Sequence, residues 1–502
     1  MKANIIANII GRFWSIISGF LFIPLYIKFL GFENYSIISF TLIVAGLMAV
    51  LDAGLTATLS REIARGDQSI RDKQRVFTTL ESCYLLTVLL ICVFTFLFSD
   101  FIANKWLFIN TIDSNSVSFF IKIVGVEAGL QMLFRFYLGG ILGFEQQIKA
   151  NLYQIGWGML RNGMVVLLIW LLPSLKLFFI WQLISTILFT FLIRSTLLKL
   201  LFDKFTFKFT AVIEKEVFQK IWKFAGGMLL ISLIAALNTQ MDKLFISKLL
   251  SISVLGYYTL AISIASSVYV IVSPISVALL PRFTSLYSTG NTKEATNLYK
   301  KISLFVAILL FSFVANMIFY ANDLIWIWTG DLELAKKAGV FLPILSFSFA
   351  MLSLVSIPYD IAISNGYTKL NNFLGILSLF FTVPGYWIAT KLYGGIGATY
   401  VFCFVQTLIT IIYLIFINKK FLKINIYDLL IKRIVLPGAG AIIIAYLLSL
   451  IPNNYSDSRV LSLIWIGVLT MITLFTTILL FIPIRQIKDM LKIKGDNLNL
   501  LN

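Results

Sequence analysis

The 502-residue chain has no histidine, only three cysteines and few charged residues. The lack of histidine excludes His-dependent catalytic triads, histidine metal sites and imidazole pH switches. Cys83, Cys92 and Cys403 lie within apolar runs, without the spacing of a metal site or a disulfide framework. Charged residues make up 13% of the chain and hydrophobic residues 59%, which is typical of an integral membrane protein and not of a soluble domain.

The motifs of soluble catalysis are also missing. The chain has no Asp-x-Asp pair for a metal-dependent sugar-nucleotide site, no P-loop lysine motif and no Gly-x-Ser-x-Gly elbow. We therefore expect a protein that is not an enzyme, has no cofactor and does not use ATP directly. Protons, sodium or the membrane potential remain alternative energy sources.

Long apolar runs dominate what is present. Because a membrane-spanning helix needs about 20 apolar residues, the sequence predicts an all-α integral membrane protein with about fourteen transmembrane helices. The predicted helices cover residues 5–29, 35–59, 76–98, 117–140, 152–172, 175–198, 222–246, 256–280, 302–320, 339–363, 370–392, 396–417, 434–451 and 461–482.

Lysine and arginine are unevenly distributed between the loops. Residues 61–75 hold five, residues 194–223 hold seven, and residues 419–433 hold five, whereas the alternate loops hold few. Since basic loops stay on the cytoplasmic side, we predict that both termini are cytoplasmic.

The longest connection divides the first twelve helices into two sets of six. We predict an N-lobe at 1–198, a basic cytoplasmic linker at 199–221, a C-lobe at 222–417, and a C-terminal helix pair with its tail at 418–502. A weak repeat between the segments that begin at Leu25 and Leu244 fits a parallel duplication. Two such lobes would enclose a central cavity.

Several polar and charged residues fall inside the predicted helices, where an ionisable side chain normally faces a partner or an aqueous cavity. Many are four residues apart and so share one helical face. The candidate site residues are Arg12, Glu127, Gln131, Arg135, Arg161, Asn238, Asp242 and Lys243.

Three of these candidates, Arg12, Arg135 and Arg161, give the first lobe a positive potential. This predicts an anionic substrate, and guanidinium groups suit phosphate because they can donate two parallel hydrogen bonds. The alternative is that these residues form interhelical ion pairs, for example between Glu127 and Arg161. Asp52, Glu81 and Asp360 near predicted helix ends are expected to form interfacial pairs or gates.

Four segments together resemble one family, the polysaccharide exporters of the multidrug/oligosaccharidyl-lipid/polysaccharide superfamily, and in particular the Wzx-type O-antigen flippases. The segments are 51–65 (LDAGLTATLSREIAR), 143–151 (GFEQQIKAN) leading to Arg161, 224–258 with QMDKLFISK and LGYY, and 357–369 with IPYD and NGYTK. They are spread over much of residues 1–420. The two extra C-terminal helices depart from the twelve of many members, and we expect them to form a groove for a polyprenyl tail.

The resemblance implies a flippase in the bacterial inner membrane that moves an undecaprenyl-pyrophosphate-linked oligosaccharide to the periplasmic leaflet by alternating access. Its partners would be that lipid-linked oligosaccharide, membrane lipids and other polysaccharide-assembly proteins, with no nucleic acid. Arg12, Arg135 and Arg161 would bind the pyrophosphate, and Gln131 and Asn238 the sugars. Glu127, or Asp242 with Lys243, would couple an ion or form a cavity ion pair. A lipid II-type flippase, a drug or cation antiporter and a membrane O-antigen polymerase remain alternatives.

Overall fold

The structure is a computed structural model that describes residue 14 and residues 18–52, 54–109, 112–202, 212–453 and 457–483, without the side chains of 220, 221 and 223–227. The described residues are almost entirely helical and contain no named strand; their sole bridge joins Phe108 and Ser251. Twelve helices in the described residues are long and apolar enough to cross a membrane. The fold class is therefore confirmed as all-α and multi-pass.

The chain divides into two compact units, residues 1–256 and 257–502. The helices of unit 1 are α1 (Ile23–Leu30), α2 (Phe32–Met48), α3 (Leu55–Ala64), α4 (Ile70–Phe101), α5 (Ser114–Gly143), α6 (Gln147–Gly158), α7 (Val165–Leu171), α8 (Leu175–Phe202), α9 (Lys215–Leu249) and the start of α10 (Ile252–Ala265). The remaining helices, in unit 2, are α11 (Ser267–Ser288), α12 (Thr292–Phe319), α13 (Ala321–Thr329), α14 (Leu332–Gly339), α15 (Leu342–Leu354), α16 (Ser356–Ser364), α17 (Lys369–Ile417), α18 (Leu436–Ser449) and α19 (Arg459–Phe481).

Unit 1 is built around α5, which packs against α3, α4 and α8. Glycines on α5 allow this close packing: a Cβ atom on Gly143 would lie 2.7 Å from the Ser60 carbonyl oxygen, and one on Gly140 would lie 2.6 Å from Leu197. Aromatic rings fill the interface with α4, where the Tyr84 and Phe136 ring centroids are 4.3 Å apart. Helix α5 is thus a fixed support for the polar residues that it carries.

Unit 2 is organised around α12, which packs against α11, α15 and the C-terminal helices α18 and α19. Asn316 of α12 donates a hydrogen bond of 3.2 Å to Thr473 of α19. A Cβ atom on Gly438 of α18 would lie 2.9 Å from the Phe311 ring. The predicted C-terminal helix pair is therefore packed into this unit, while its role in holding a polyprenyl tail stays a prediction.

Several helix boundaries differ from the predicted ones because of local backbone geometry. The predicted helix 35–59 is interrupted by a 3₁₀ turn at Ala49–Asp52 and by Gly54, whose φ of 71° lies in the left-handed region. Helix α17 contains two predicted helices, 370–392 and 396–417, joined at a kink where Gly394 has φ 64°. Helices α13 and α14 are short elements within what was predicted to be a loop.

Of the predicted first helix, 5–29, residues 5–13 and 15–17 fall outside the described residues. The count of fourteen helices and the cytoplasmic position of the termini therefore stay predictions, as does the division into lobes. Large apolar side chains cover the outside of both units, as in Leu97 and Phe380, which are 72% and 74% exposed. Such exposure suits a surface in contact with lipid.

Candidate functional site

Helix α5 carries three of the candidate residues at intervals of four, so that Glu127, Gln131 and Arg135 follow one another along a single face. Their environments differ sharply. Glu127 is 4% exposed, Gln131 is half-buried and Arg135 is exposed. The face thus runs from a buried carboxylate to an exposed guanidinium.

Arg161 lies in a π-helical turn, Met159–Met164, between α6 and α7. Such turns leave backbone carbonyls without their usual helical partners and are frequent at functional sites. Here two ring groups supply the missing hydrogen bonds: Trp181 donates to the Leu160 carbonyl at 2.8 Å and Tyr26 to the Asn162 carbonyl at 3.0 Å. The turn is therefore held in place by two other helices of unit 1.

Arg161 and Glu127 form an interhelical ion pair, with the Arg161 Nε atom 2.8 Å from Glu127 Oε1. The same carboxylate oxygen accepts hydrogen bonds from Gln131 at 3.0 Å and Thr186 at 3.3 Å. Arg161 also stacks on Trp157, with 5.4 Å between the guanidinium carbon and the ring centroid. The interhelical ion pair between Glu127 and Arg161, predicted as the alternative to substrate binding, is therefore present.

The pair leaves part of the Arg161 guanidinium uncommitted. Its Nη1 atom donates to Asn162 Oδ1 at 3.0 Å, whereas Nη2 has no acceptor among the described residues. The Arg161 side chain is 14% exposed. One edge of a guanidinium bound to a carboxylate therefore remains able to donate hydrogen bonds to an anion.

Among the candidates that the structure describes, Arg135 has the least neutralised charge. It lies within electrostatic range of both Asp52 and Arg161, but it forms no ion pair with the described residues. Asp52 accepts hydrogen bonds from Thr56, at 2.6 Å, and from Tyr84. The Asp52 carboxylate is thus held by these two hydroxyls, and Arg135 remains exposed without an ion pair to the described residues.

The other polar candidates lie on α9. The Asn238 amide donates to the Ile234 carbonyl of its own helix at 2.9 Å. Lys243 Nζ lies 3.1 Å from the buried Asp242 carboxylate and 2.5 Å from the Thr239 carbonyl oxygen. Asp242 and Lys243 thus form a second charged pair of unit 1. Arg12, the remaining candidate, lies outside the described residues.

Glu81, predicted to pair at the membrane interface, belongs instead to a third buried ion pair. Arg194, counted above among the basic loop residues, lies inside α8 and binds Glu81 of α4 at 2.7 Å. Tyr137 of α5 donates to the same carboxylate at 2.7 Å. A signal was available, because Arg194 stands within an otherwise apolar run. Because the Glu81 carboxylate is bound by both Arg194 and Tyr137, we interpret this pair as structural.

A further polar network follows α3, in the segment that resembles the exporters. Burial alone would raise the pKa of Glu62, but hydrogen bonds from Arg61 and Gln68 and the charges of Arg61 and Arg65 outweigh it, so this pKa is lowered. The Arg61 and Gln68 bonds are 2.8 Å and 2.6 Å. Through the bond from Gln68, Glu62 therefore connects α3 to the segment between α3 and α4.

Comparisons with known proteins agree with this architecture. The model of the family described as "Polysaccharide biosynthesis protein" matches residues 1–287, and the MatE model matches residues 228–388. A protein of Shigella flexneri named "Putative O-antigen transporter" is 20% identical over 374 residues, which are 74% of this chain and 86% of that protein.

Solved structures show the same fold. The inward closed conformation of the lipid II flippase MurJ is similar with a TM-score of 0.73 and 15% identity, covering 94% of this chain and 98% of that one. An inward-facing multidrug resistance MATE transporter of the MOP superfamily gives a TM-score of 0.67 at 14% identity, covering 82% and 94%.

The matched proteins are named as transporters and flippases, which supports the prediction that this chain is not an enzyme. The apolar helices and these matches describe a multi-pass protein of the bacterial inner membrane with the fold of the MOP superfamily flippases. Since the family model covers more than half of its length, the chain belongs to the polysaccharide biosynthesis protein family.

Proposed function

We propose that this protein is a flippase that carries an undecaprenyl-pyrophosphate-linked oligosaccharide from the cytoplasmic to the periplasmic leaflet by alternating access. The observation that carries the proposal is the exposed guanidinium of Arg135, which no carboxylate of the described residues neutralises in an ion pair. A pyrophosphate is the anion common to all such substrates, and a guanidinium fork suits its oxygens. The family membership and the transporter relative support this substrate class.

In this mechanism Arg135 makes the first contact with the pyrophosphate. Arg161 then binds it through the Nη2 edge that its carboxylate partner leaves uncommitted. Glu127, whose carboxylate oxygen lies 2.8 Å from the Arg161 Nε atom, is one place for ion coupling. Asp242 with Lys243 is a second place for ion coupling. Gln131 and Asn238 contact the sugars, and Arg12 contributes further positive charge.

Reconstituted vesicles test the role of Arg135. The measured quantity is the rate at which a labelled undecaprenyl-pyrophosphate oligosaccharide becomes accessible to a membrane-impermeant sugar reagent. We expect Arg135→Ala to slow this rate roughly tenfold to a hundredfold, because a charge-assisted hydrogen bond contributes about 1.5–3 kcal/mol. Arg135→Lys should retain part of the rate, since an ammonium keeps the charge but loses the planar fork.

Arg71→Ala is the matched control, because Arg71 is also exposed, in the same unit, and has no ion pair with the described residues. It should flip at the wild-type rate. Arg135 gives a cleaner test than Arg161, whose removal would leave the buried Glu127 carboxylate without its cation. Equal rates for the wild type and Arg135→Ala would refute the charge role.

One alternative has a specific observation in its favour: the fold is also that of a lipid II flippase. Deleting the gene in its host separates the two. Loss of surface polysaccharide with single repeat units trapped on the cytoplasmic leaflet supports the oligosaccharide flippase. Accumulation of lipid II on that leaflet supports the alternative, and repeat units accumulating on the periplasmic leaflet would indicate a polymerase. A cation antiporter is disfavoured because the exposed charge at this site is positive.

A further inference from the structure

Unit 2 contains a cavity of about 500 Å³ with a strongly basic lining. It lies where the end of α11, the first turns of α12 and the segment after α17 meet. Four lysines line it, Lys293, Lys300, Lys420 and Lys423, and the lining includes no acidic residue. We call this cavity the lysine pocket.

None of the four ammonium groups forms a salt bridge or hydrogen bond with the described residues. The neighbouring carboxylates are already paired with arginines, Glu294 with Arg282 at 2.6 Å and Asp428 with Arg433 at 3.1 Å. Four like charges around one cavity repel each other. The pocket therefore carries an uncompensated charge that a bound anion would neutralise.

Hydrogen bonds fix the turn that carries Lys423 and join this turn to α12. Lys423 has φ 53°, a left-handed conformation that is costly for a residue with a side chain. The buried Asn418 fixes this turn, since its side chain donates to the Ile424 carbonyl at 2.7 Å and accepts from the Ile424 amide at 2.9 Å. Thr296 joins the turn to α12 through a bond of 3.3 Å to the Leu422 carbonyl.

Two further features favour an anion. The lining includes Thr292, Lys293 and Thr296 from the first turns of α12, a helix of 28 residues whose N-terminal amides carry partial positive charge. The hydroxyl of Tyr287, another lining residue, is buried and has no hydrogen-bond partner among the described residues. The Lys420 ammonium lies 3.3 Å from the centroid of the Tyr367 ring, which restrains that lysine in place.

We propose that the lysine pocket binds a phosphate-bearing anion, at a site separate from the Arg135 site of unit 1. Phosphate fits because it carries enough charge to compensate several lysines and has oxygens that accept hydrogen bonds from ammonium groups and from the Thr292 hydroxyl. The phosphate comes either from the headgroup of an anionic phospholipid or from a soluble phosphate compound. The proposal does not depend on which substrate the protein flips.

The test uses the full chain in phosphatidylcholine nanodiscs, with two probes. Inorganic pyrophosphate binding is followed by titration calorimetry, and retention of phosphatidylglycerol by native mass spectrometry. Variants are Lys420→Gln/Lys423→Gln, the control Lys336→Gln/Lys391→Gln, which removes the same charge elsewhere in unit 2, and Arg135→Ala. Thermal unfolding without probe checks that each variant is folded.

We expect at least one probe to bind the wild type and the control alike, and to bind the pocket variant about tenfold more weakly or worse, while Arg135→Ala reports the pyrophosphate that binds at the unit 1 site. Pyrophosphate loss alone assigns a soluble phosphate, and phosphatidylglycerol loss alone assigns a lipid headgroup. Equal binding by the pocket variant and the control, or no binding of either probe by the wild type, overturns the proposal. Because Arg135→Ala is measured separately, failure here leaves the proposed flippase function untouched.

Discussion

Glu81 and Arg194 lie in the apolar core of unit 1, with side chains 3% and 6% exposed. Removing one partner of a buried pair leaves the other charge without compensation, which costs about 3–5 kcal/mol. We therefore expect Glu81→Gln to lower the thermal unfolding midpoint of the purified protein clearly, with Tyr137 and Arg194 left around a neutral amide.

The matched control for this prediction is Glu333→Gln. Glu333 pairs with Lys337 at 2.5 Å, but both side chains are exposed, at 75% and 49%. Exposed pairs contribute little to stability because water screens them, so this variant should have the same thermal unfolding midpoint as the wild type. If Glu81→Gln and Glu333→Gln have the same midpoint, the buried pair does not stabilise unit 1 as argued here.

At the residue scale, the sequence was informative about which charges matter and less about how they pair. The spacing of Glu127, Gln131 and Arg135 correctly predicts one shared face, because helical periodicity is local. The pairing of Arg194 with Glu81 was hidden, since it joins helices that are 113 positions apart in the chain.

At the scale of single elements, the glycines of α5 determine how closely helices approach. A Cβ atom on Gly143 would lie 2.7 Å from the Ser60 backbone oxygen, which cannot rotate away as a side chain would. We predict that Gly143→Ala separates α5 from α3 and destabilises the protein by about 1–3 kcal/mol. Thermal unfolding in detergent measures this change.

Gly467 in α19 provides the control, because a Cβ atom there meets nothing within 4 Å. Gly467→Ala should be neutral or slightly stabilising, since alanine favours a helix more than glycine does. An unfolding midpoint for Gly143→Ala equal to that of Gly467→Ala would show that α3 and α5 tolerate the extra methyl group.

The sequence predicted where apolar helices lie better than where they break. Hydropathy located both segments of α17 on either side of Gly394, because the break separates two long apolar runs. It did not locate the π-helical turn at Met159–Met164, because that turn depends on hydrogen bonds donated by Trp181 and Tyr26 from other helices. The irregular turn that carries Arg161 is thus a tertiary feature.

At the scale of the whole molecule, the distribution of lysine and arginine predicts that both chain termini lie in the cytoplasm. The same rule predicts that the lysine pocket lies on the cytoplasmic side, because its lysines come from the basic connections 282–301 and 419–433. The apolar helices themselves do not determine the orientation, because they would span the membrane equally well in the opposite one.

Reporter fusions measure the orientation of the chain in the membrane. Green fluorescent protein folds to a fluorescent state in the cytoplasm, and alkaline phosphatase is active only in the periplasm. Fused after residue 494, the fluorescent reporter should be bright and the phosphatase inactive; fused after residue 453, in the predicted periplasmic connection between α18 and α19, the pattern should reverse. The four basic residues in 485–494 are the physical reason, since they resist translocation. The opposite pattern at both positions would put the lysine pocket in the periplasm and rule out a cytoplasmic soluble phosphate as its ligand.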